Sequence, residues 1–277
     1  MAFELIAFDM DGTLLDSCKE VLPSSIEAVS EAVAAGKVVA ISSGRVPHMI
    51  EPYREILPGV RYAVCSAGAQ VFDLEAGRAL RMHPMDCSLV EKCIAVADEI
   101  SSAGNYVLEV GDDKTSILET GELALCGACG VGVYEGIFRS EGKLVDDAHA
   151  IALDPTTPVC KMVMHLPSVS QRDQVHAKLA GENLMISDCE VSSIEFTAAG
   201  VNKGTALMEL AEVLDLEMSQ VIAVGHAEND VAMLRAAGLG VAMGNAIPAA
   251  VAAADVQVSD CDHGGCAESI RRFLLTE

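Results

Sequence analysis

The sequence predicts an α/β fold in which a doubly wound parallel sheet forms the core and a second, smaller α/β unit is inserted. Over both outer thirds of the chain, short apolar runs alternate with helical segments. Several of these runs end directly in polar residues, as strands do at the functional edge of an open parallel sheet. The alternation loosens in the middle third. We therefore predict a core of residues 1–83 and 190–277 and an inserted unit at residues 84–189.

The N-terminal third predicts strand, helix and strand in turn. The apolar run at residues 5–8 is continuous, as in a parallel strand that is buried on both faces. A capping pattern at residues 24–27 predicts a helix that ends at Gly36. Further buried strands are predicted at residues 37–41 and 62–65.

The middle third predicts two helices, at residues 88–103 and 168–179, and two strands, at residues 106–110 and 161–166. After it, the alternation of the first third returns. Strands are predicted at residues 221–224, 239–243 and 256–258, among helices that begin near Lys203, Asp230 and Ala267. Both outer thirds are therefore expected to build one sheet.

Composition narrows the classes of function. The chain has 277 residues, a formal net charge of −23 and ten cysteines. So acidic a chain is a poor match for nucleic acid or for an anionic membrane surface. No run is apolar for long enough to span a membrane, and Glu4 and Asp9 interrupt the first apolar run where a secretory signal would need it. We expect a cytoplasmic protein with reduced thiols, and the oligomeric state stays open.

Two carboxylates directly follow the first predicted strand. Asp9 and Asp11 are two positions apart, so an extended backbone directs them to the same side. Two anions this close repel each other, and a hard cation such as Mg²⁺ would relieve that repulsion. Gly12 permits a sharp turn, and Thr13 adds a hydroxyl and an N–H. The stretch predicts a metal-assisted site at the end of the strand, with a plain acidic turn as the alternative.

The stretch from Asp9 to Thr13 resembles the first motif of the haloacid-dehalogenase (HAD) superfamily of phosphohydrolases, and later motifs narrow the resemblance to its Cof-type subfamily. The resemblance implies a Rossmann-like core and a large inserted α/β cap of type IIB that selects the substrate. It implies that Asp9 is the nucleophile that forms an aspartyl-phosphate. Asp11 would be the general acid–base, and both residues would ligate Mg²⁺, Asp11 through its backbone carbonyl.

Two further motifs match in the family's order. Ser43 and Gly44 occupy the second motif, where a hydroxyl and an N–H hold the transferring phosphoryl group. Lys203 matches the third motif and would neutralise Asp9 and the phosphoryl oxygens. Arg45 follows the second motif, and it stays open whether it contacts the substrate or the cap or forms a structural ion pair.

The fourth motif departs from the family pattern at one position. The family typically has Gly-Asp-x-x-Asn-Asp, whereas this chain has Gly-His-x-x-Asn-Asp at residues 225–230, so His226 replaces the first metal-binding aspartate. Because Mg²⁺ prefers oxygen ligands and imidazole suits borderline metals, we expect weakened Mg²⁺ binding at His226. Asp230, or Glu228 through water, would compensate in part. The resemblance assigns substrate binding also to Thr13, Asn229 and Asn245.

Taken together, these motifs imply an Mg²⁺-dependent phosphatase that acts on a small phosphorylated metabolite, such as a sugar phosphate or a related phosphomonoester. Two alternatives stay open: an impaired domain that binds phosphoesters or regulates, and a phosphotransferase or mutase that passes the phosphoryl group to a hydroxyl. His226 favours the impaired domain, as does Ala67, which stands where the family often has asparagine. The intact Asp9 and Lys203 favour turnover.

Three other patterns are interpreted as structural. The glycines of residues 238–244 imitate a dinucleotide fingerprint, but residues 241–243 have a strand pattern where that fingerprint needs a turn. Cys126 and Cys129 form a lone CxxC in a cysteine-rich chain, so ordinary thiols are favoured over a redox or metal site. A zinc site in the C-terminal loop lacks a fourth ligand beside Cys261, His263 and Cys266.

Overall fold

The computed structural model describes residues 2–102 and 104–276. The chain divides into two units, of which the first comprises Met1–Arg81 with Asn202–Glu277 and the second comprises Met82–Val201. Each unit contains its own sheet. The predicted α/β fold, with a parallel core sheet and an inserted α/β unit, is thereby confirmed.

The strands of the described residues are, in chain order, β1 (Leu5–Phe8), β2 (Val38–Ser42), β3 (Tyr62–Cys65), β4 (Gln70–Asp73), β5 (Arg78–Met82), β6 (Val107–Gly111), β7 (Ser116–Glu119), β8 (Lys143–Val145), β9 (Lys161–His165), β10 (Leu184–Cys189), β11 (Ser193–Ala198), β12 (Val221–Gly225), β13 (Leu239–Ala242) and β14 (Val256–Gln257).

The α-helices are α1 (Pro23–Ala34), α2 (Pro47–Ile50), α3 (Tyr53–Ile56), α4 (Cys87–Ser101), α5 (Glu135–Glu141), α6 (Ala148–Ala152), α7 (Val169–Leu179), α8 (Lys203–Val213), α9 (Val231–Ala236), α10 (Pro248–Ala253) and α11 (Gly265–Ser269). Short 3₁₀ turns join several elements, and a π-helical turn at Ile270–Leu274 continues α11. Among the helices of the described residues, none combines the length and the apolar character that crossing a membrane requires.

The first unit is built on an eight-stranded sheet in the order β14-β13-β12-β1-β2-β3-β4-β5. The pairs from β14 through to β3 are parallel, and β4 runs antiparallel to β3. The last residue of β1, Phe8, is in register with Val224 of β12 and with Ile41 of β2. The chain segments that leave these three strands therefore emerge side by side at one edge of the sheet.

Strand β1 is apolar at every position because both faces of the core sheet are covered. Ile6 and Phe8 point into one cluster of buried side chains, and Leu5 and Ala7 point into another on the opposite face. This arrangement explains the continuous hydrophobic run of the sequence.

Helix α1 begins one residue earlier than its predicted capping pattern, and that part of the prediction is wrong. The N-cap position is Leu22, which makes no side-chain capping bond, and Pro23 occupies the first helical turn. Proline suits this position because its missing N–H would have no partner within the helix. Helix α8 is capped by a side chain instead: Asn202 accepts hydrogen bonds from the N–H groups of Gly204 and Thr205.

The second unit contains a six-stranded sheet in the order β10-β11-β9-β6-β7-β8. Adjacent strands of this sheet run antiparallel, except that β7 and β8 run parallel. The predicted boundary at residue 189 falls inside this sheet, because β10 pairs with β11 as far as Ala198 and the unit extends to Val201. Helix α4 ends at Ser101, and Ala103, the predicted end of that helix, lies outside the described residues.

Candidate active site

Asp9 is the first residue beyond β1, the strand that lies between β12 and β2 in the core sheet. Its backbone is held on both sides, because its N–H donates to the carbonyl of Val224 at 3.0 Å and its carbonyl accepts from the N–H of Leu14 at 3.1 Å. The side chain is buried, with 6% of the residue exposed. A carboxylate placed there needs cationic or hydrogen-bonding partners.

Lys203 supplies the cation. Its Nζ donates to Asp9 Oδ1 at 2.6 Å and to Asp230 Oδ1 at 2.7 Å, and the lysine is itself 1% exposed. Burial opposes the charge on Lys203, but the attraction of Asp9 and Asp230 outweighs burial and raises the lysine's pKa above its usual range. Burial would likewise raise the pKa of Asp9, yet Lys203 and His226 together lower it to about 2. Asp9 is therefore an anion at any physiological pH.

Asp230 anchors the turn that follows β12. It is fully buried, and its Oδ2 accepts hydrogen bonds from the backbone N–H groups of His226 at 2.8 Å and Ala227 at 2.9 Å. A Cβ at Gly225 would lie 2.6 Å from the Cβ of Asp230, so only glycine lets the two segments approach this closely. With Lys203 on Oδ1, both oxygens of Asp230 already have partners.

His226 places its imidazole against the Asp9 carboxylate. Its Nδ1 lies 3.2 Å from Asp9 Oδ2, 3.3 Å from Thr13 Oγ1 and 3.7 Å from Asp230 Oδ2. The ring packs over Gly12, where a Cβ would lie 2.7 Å from Nε2, and the backbone φ of Gly12 is +77°. The hydrogen bond to Asp9 raises the pKa of His226, although burial opposes the rise.

The side chains of this site fit a divalent cation in general better than they fit Mg²⁺. Asp9, His226 and Asp230 each offer one ligand atom, and those atoms lie within 4.8 Å of one another. Two carboxylates and an imidazole can hold a divalent ion, but Mg²⁺ favours an all-oxygen octahedral set, and here one donor is nitrogen. Asp11, which the resemblance placed among the ligands through its carbonyl, lies outside this group of side chains.

The Asp11 carboxylate forms ion pairs in this structure. Lys19 Nζ donates to its Oδ1 at 2.8 Å, and an Nη of Arg45 contacts both of its oxygens at 3.1 Å. Arg45 also donates to the hydroxyl of Tyr53 at 3.1 Å, with its guanidinium 5.6 Å from that ring's centroid. Arg45 therefore forms an ion pair with Asp11, which is one of the roles considered for it. Lys19 and Tyr53 carry no motif, so sequence reasoning missed both.

The predicted phosphate-binding residues differ in their burial and in the hydrogen bonds they make. Ser43 is buried directly after β2, and its Oγ accepts a hydrogen bond from the N–H of Arg45 at 3.2 Å. Gly44 lies between the two. Asn245 stabilises the turn that follows β1, since its Nδ2 donates to the Gly12 carbonyl at 2.9 Å.

Asn229 lies apart from the buried centre, exposed in the 3₁₀ turn Glu228–Asp230. Ala67, after β3, adopts a left-handed backbone with φ 57°, a conformation that asparagine tolerates better than alanine. Cys266, which the sequence placed only in the C-terminal zinc pattern, donates from its Sγ to the Thr13 carbonyl at 3.2 Å.

The C-terminal zinc pattern does not assemble. Cys266 is engaged with Thr13, while the exposed His263 contacts Asp260 through its Nδ1 at 2.6 Å. Among the described residues, the side chains close enough to share an ion form one other group besides that at Asp9, namely Glu119, Glu122 and His149 in the second unit.

The CxxC pair consists of two buried thiols. Burial raises the pKa of both, that of Cys129 to about 11, which disfavours the reactive thiolate.

Comparisons with known proteins identify related chains over nearly the whole length. The family model of haloacid dehalogenase-like hydrolases matches residues 6–270. The chain is 29% identical to pyridoxal phosphate phosphatase YbhA of Escherichia coli (strain K12), over 100% of this chain and 99% of that protein. It is 28% identical to 5-amino-6-(5-phospho-D-ribitylamino)uracil phosphatase YcsE of Bacillus subtilis (strain 168), over 98% and 96% of the two chains.

Solved structures share the fold. A haloacid dehalogenase-like hydrolase from Bacteroides thetaiotaomicron superposes with a TM-score of 0.82 at 23% identity, covering 98% of this chain and 99% of that one. A sugar phosphatase of HAD subclass IIB superposes with a TM-score of 0.79 at 19% identity, covering 98% of each chain.

Proposed function

Because the chain belongs to the haloacid dehalogenase-like hydrolases, we propose that it is a phosphatase that acts through an aspartyl-phosphate on Asp9. The observation that carries the proposal is the state of Asp9, a buried carboxylate at the end of β1 that Lys203 and His226 keep ionised with a pKa of about 2. An anion without a proton to lose is ready to act as a nucleophile.

In the first step, an Asp9 carboxylate oxygen forms a bond to phosphorus while the phosphorus–oxygen bond to the leaving alcohol breaks. Asp11 gives a proton to the departing oxygen, so that a neutral alcohol leaves. Lys203, fixed 2.6 Å from Asp9, stabilises the negative charge that gathers on the phosphoryl oxygens. Before it can act as an acid, Asp11 has to take up a proton and move away from Lys19 and Arg45, which hold it in the resting structure.

In the second step, water attacks the phosphorus of the aspartyl-phosphate and passes a proton to Asp11. The bond between phosphorus and Asp9 breaks, which releases inorganic phosphate and restores the Asp9 carboxylate. Ser43, Gly44 and Thr13 are proposed to hold the phosphoryl group through both steps, and the burial of Ser43 and Thr13 supports that role because it limits the positions their hydroxyls can take. Asn245 supports the turn that carries Thr13.

A divalent cation held by Asp9, His226 and Asp230 would neutralise phosphoryl charge. Mg²⁺ is the ion that the family resemblance suggests, and we propose that it binds weakly here because His226 offers nitrogen in place of a carboxylate.

The substrate is proposed to be a small phosphomonoester, a sugar phosphate or a related metabolite. The support is that full-length relatives carry names of phosphatases for different small phosphorylated compounds, including pyridoxal phosphate. The second unit, residues 82–201, is proposed to select among such esters. We also propose a cytoplasmic location, which the ten cysteines of the sequence support because a reducing compartment keeps such thiols from forming disulfides.

The test is phosphate release from a panel of phosphomonoesters that includes pyridoxal phosphate and sugar phosphates, at a series of Mg²⁺ concentrations. We expect turnover by the native chain and none by Asp9→Asn. Asp215→Asn, at an exposed aspartate of the same unit, is the matched control and should keep its activity. Turnover that survives in Asp9→Asn would contradict the proposal.

A second candidate is a phosphoester-binding domain without turnover, which His226 at a metal position favours. It predicts that the native chain binds esters but releases no phosphate, and that His226→Asp restores release. A phosphotransferase would instead form a new ester when an alcohol acceptor is added, which product analysis detects.

A further inference from the structure

We infer that the site at Asp9 selects a divalent transition-metal ion such as Co²⁺ or Zn²⁺ over Mg²⁺, with His226 Nδ1 as the ligand that decides. The inference names the class of metal for the proposed phosphatase site, so the functional meaning of that metal rests on the proposed function. The distances that support the inference and the experiment that tests it concern metal binding alone.

The distance between two donors supports direct ligation. His226 Nδ1 and Asp9 Oδ2 lie 3.2 Å apart. Two ligands of a tetrahedral ion, each about 2.0–2.2 Å from the metal, are separated by roughly 3.2–3.6 Å. An ion can therefore take the place of the proton between these atoms with little movement of either side chain.

The backbone that carries the imidazole is fixed before any ion arrives. The backbone N–H of His226 donates to Asp230 Oδ2 at 2.8 Å, and the backbone carbonyl of His226 accepts from the N–H of Ile247 at 2.9 Å. The ring also lies against Gly12, which has no side chain to displace it. A donor held in this way loses little freedom on binding, so it contributes more to affinity than a mobile one would.

The charges around the site favour a dication. Two buried carboxylates, Asp9 and Asp230, face a single lysine, so with a neutral imidazole the group carries one net negative charge.

The hydrogen-bond partners of those carboxylates limit the use of their oxygens as metal ligands. Lys203 occupies Asp9 Oδ1 and Asp230 Oδ1, and two backbone N–H groups occupy Asp230 Oδ2.

Asp9 Oδ2 is therefore the carboxylate oxygen best placed for a metal, and its neighbour is nitrogen. Mg²⁺ needs several oxygens in near-ideal octahedral geometry and gives up its water reluctantly. Ions of the later transition series accept a mixed nitrogen and oxygen set. The donor set present in this chain thus discriminates against Mg²⁺.

The experiment measures binding of Co²⁺ and Mg²⁺ to the chelator-treated full chain by calorimetry and follows the Co²⁺ absorption spectrum. Every site with a nitrogen donor favours Co²⁺ to some degree, so the informative quantity is the ratio of the two affinities in the native chain and in His226→Asp. We expect that ratio to fall by at least about tenfold in His226→Asp, because loss of even an outer-shell partner costs 10–100-fold. The native Co²⁺ spectrum should also change on substitution.

Three variants separate this result from other causes. His226→Asn removes the imidazole without adding charge and should weaken Co²⁺ binding without strengthening Mg²⁺ binding. His149→Ala disables the second group of possible ligands, with Glu119 and Glu122, and should leave the ratio at the Asp9 site unchanged. His263→Ala, at an exposed histidine, controls for nonspecific binding.

An unchanged affinity ratio in His226→Asp would overturn the inference, as would a Co²⁺ signal that disappears in His149→Ala. If the chain binds these metals as expected and yet hydrolyses no ester, the inference stands and the proposed function fails. If it hydrolyses esters with an unchanged ratio, the function stands and the inference fails.

Discussion

Replacing Lys203 by methionine should destabilise the protein more than the same replacement of an exposed lysine would. Methionine nearly matches the length of lysine but carries no charge, so the change leaves Asp9 and Asp230 buried without the cation that now lies 2.6 and 2.7 Å from them. Breaking a buried ion pair by removing one partner costs about 3–5 kcal/mol. The pKa of Asp9 supports that scale: a drop from 3.8 to about 2 corresponds to about 2 kcal/mol for this carboxylate alone.

The assay is urea unfolding at pH 7.5, followed by far-ultraviolet circular dichroism. We expect Lys203→Met to lower the free energy of unfolding by about 3–5 kcal/mol. Lys178→Met is the matched control, because Lys178 pairs with Glu99 at the surface and such pairs contribute at most about 1 kcal/mol. If Lys203→Met lost no more stability than Lys178→Met, the claim that Lys203 neutralises the buried carboxylates would be refuted.

Three further perturbations test other parts of the site and the second unit. The folded-state pKa of Asp9 lies below its unfolded value, so its stabilisation is present above about pH 4 and is lost as the pH falls through 2. Plotted against pH, the free energies of unfolding of the native chain and of Asp9→Asn should therefore converge over that range. Parallel curves would contradict this. Burial raises the pKa of Glu122 to about 7, so ionising this carboxyl lowers the stability of the folded protein as the pH rises from 4.5 through 7. In metal-free buffer, Glu122→Gln should therefore raise the Tm at pH 8 and leave it unchanged at pH 4. Equal shifts of the Tm at both pH values would contradict this. Gly12→Ala should lower the free energy of unfolding by about 1–3 kcal/mol in the same urea assay, because its Cβ would meet the His226 ring at a backbone φ of +77°, and an unaltered curve would show that the ring can move aside.

The core could be predicted from sequence because its strands are buried on both faces. The runs at residues 5–8, 38–41 and 221–224 are apolar without interruption, as expected for strands of a parallel sheet that is covered on both faces. The strands β10 and β11 escaped prediction because they mix polar and apolar side chains in a hairpin, so no continuous run marks them. The predicted boundary at residue 189 failed for the same reason.

The candidate site could be predicted where a residue type combines with a fixed place in the chain. Asp9, Lys203 and Asp230 follow strands or begin helices within recognisable patterns, and the structure brings all three together. The contact of Lys19 with Asp11 depends on the path of the loop after β1, which leaves no mark on the sequence. The packing of His226 on Gly12 joins residues more than two hundred positions apart, and only the folded sheet edge brings them together.

The most direct test of the central claim is to look for the phosphorylated enzyme itself. The native chain would be mixed with a turned-over phosphomonoester, quenched in acid within the first turnover, digested and analysed by mass spectrometry. The account predicts one phosphoryl group, located on the peptide that contains Asp9. Turnover without any phosphorylated peptide, or a phosphoryl group on another residue, would contradict it.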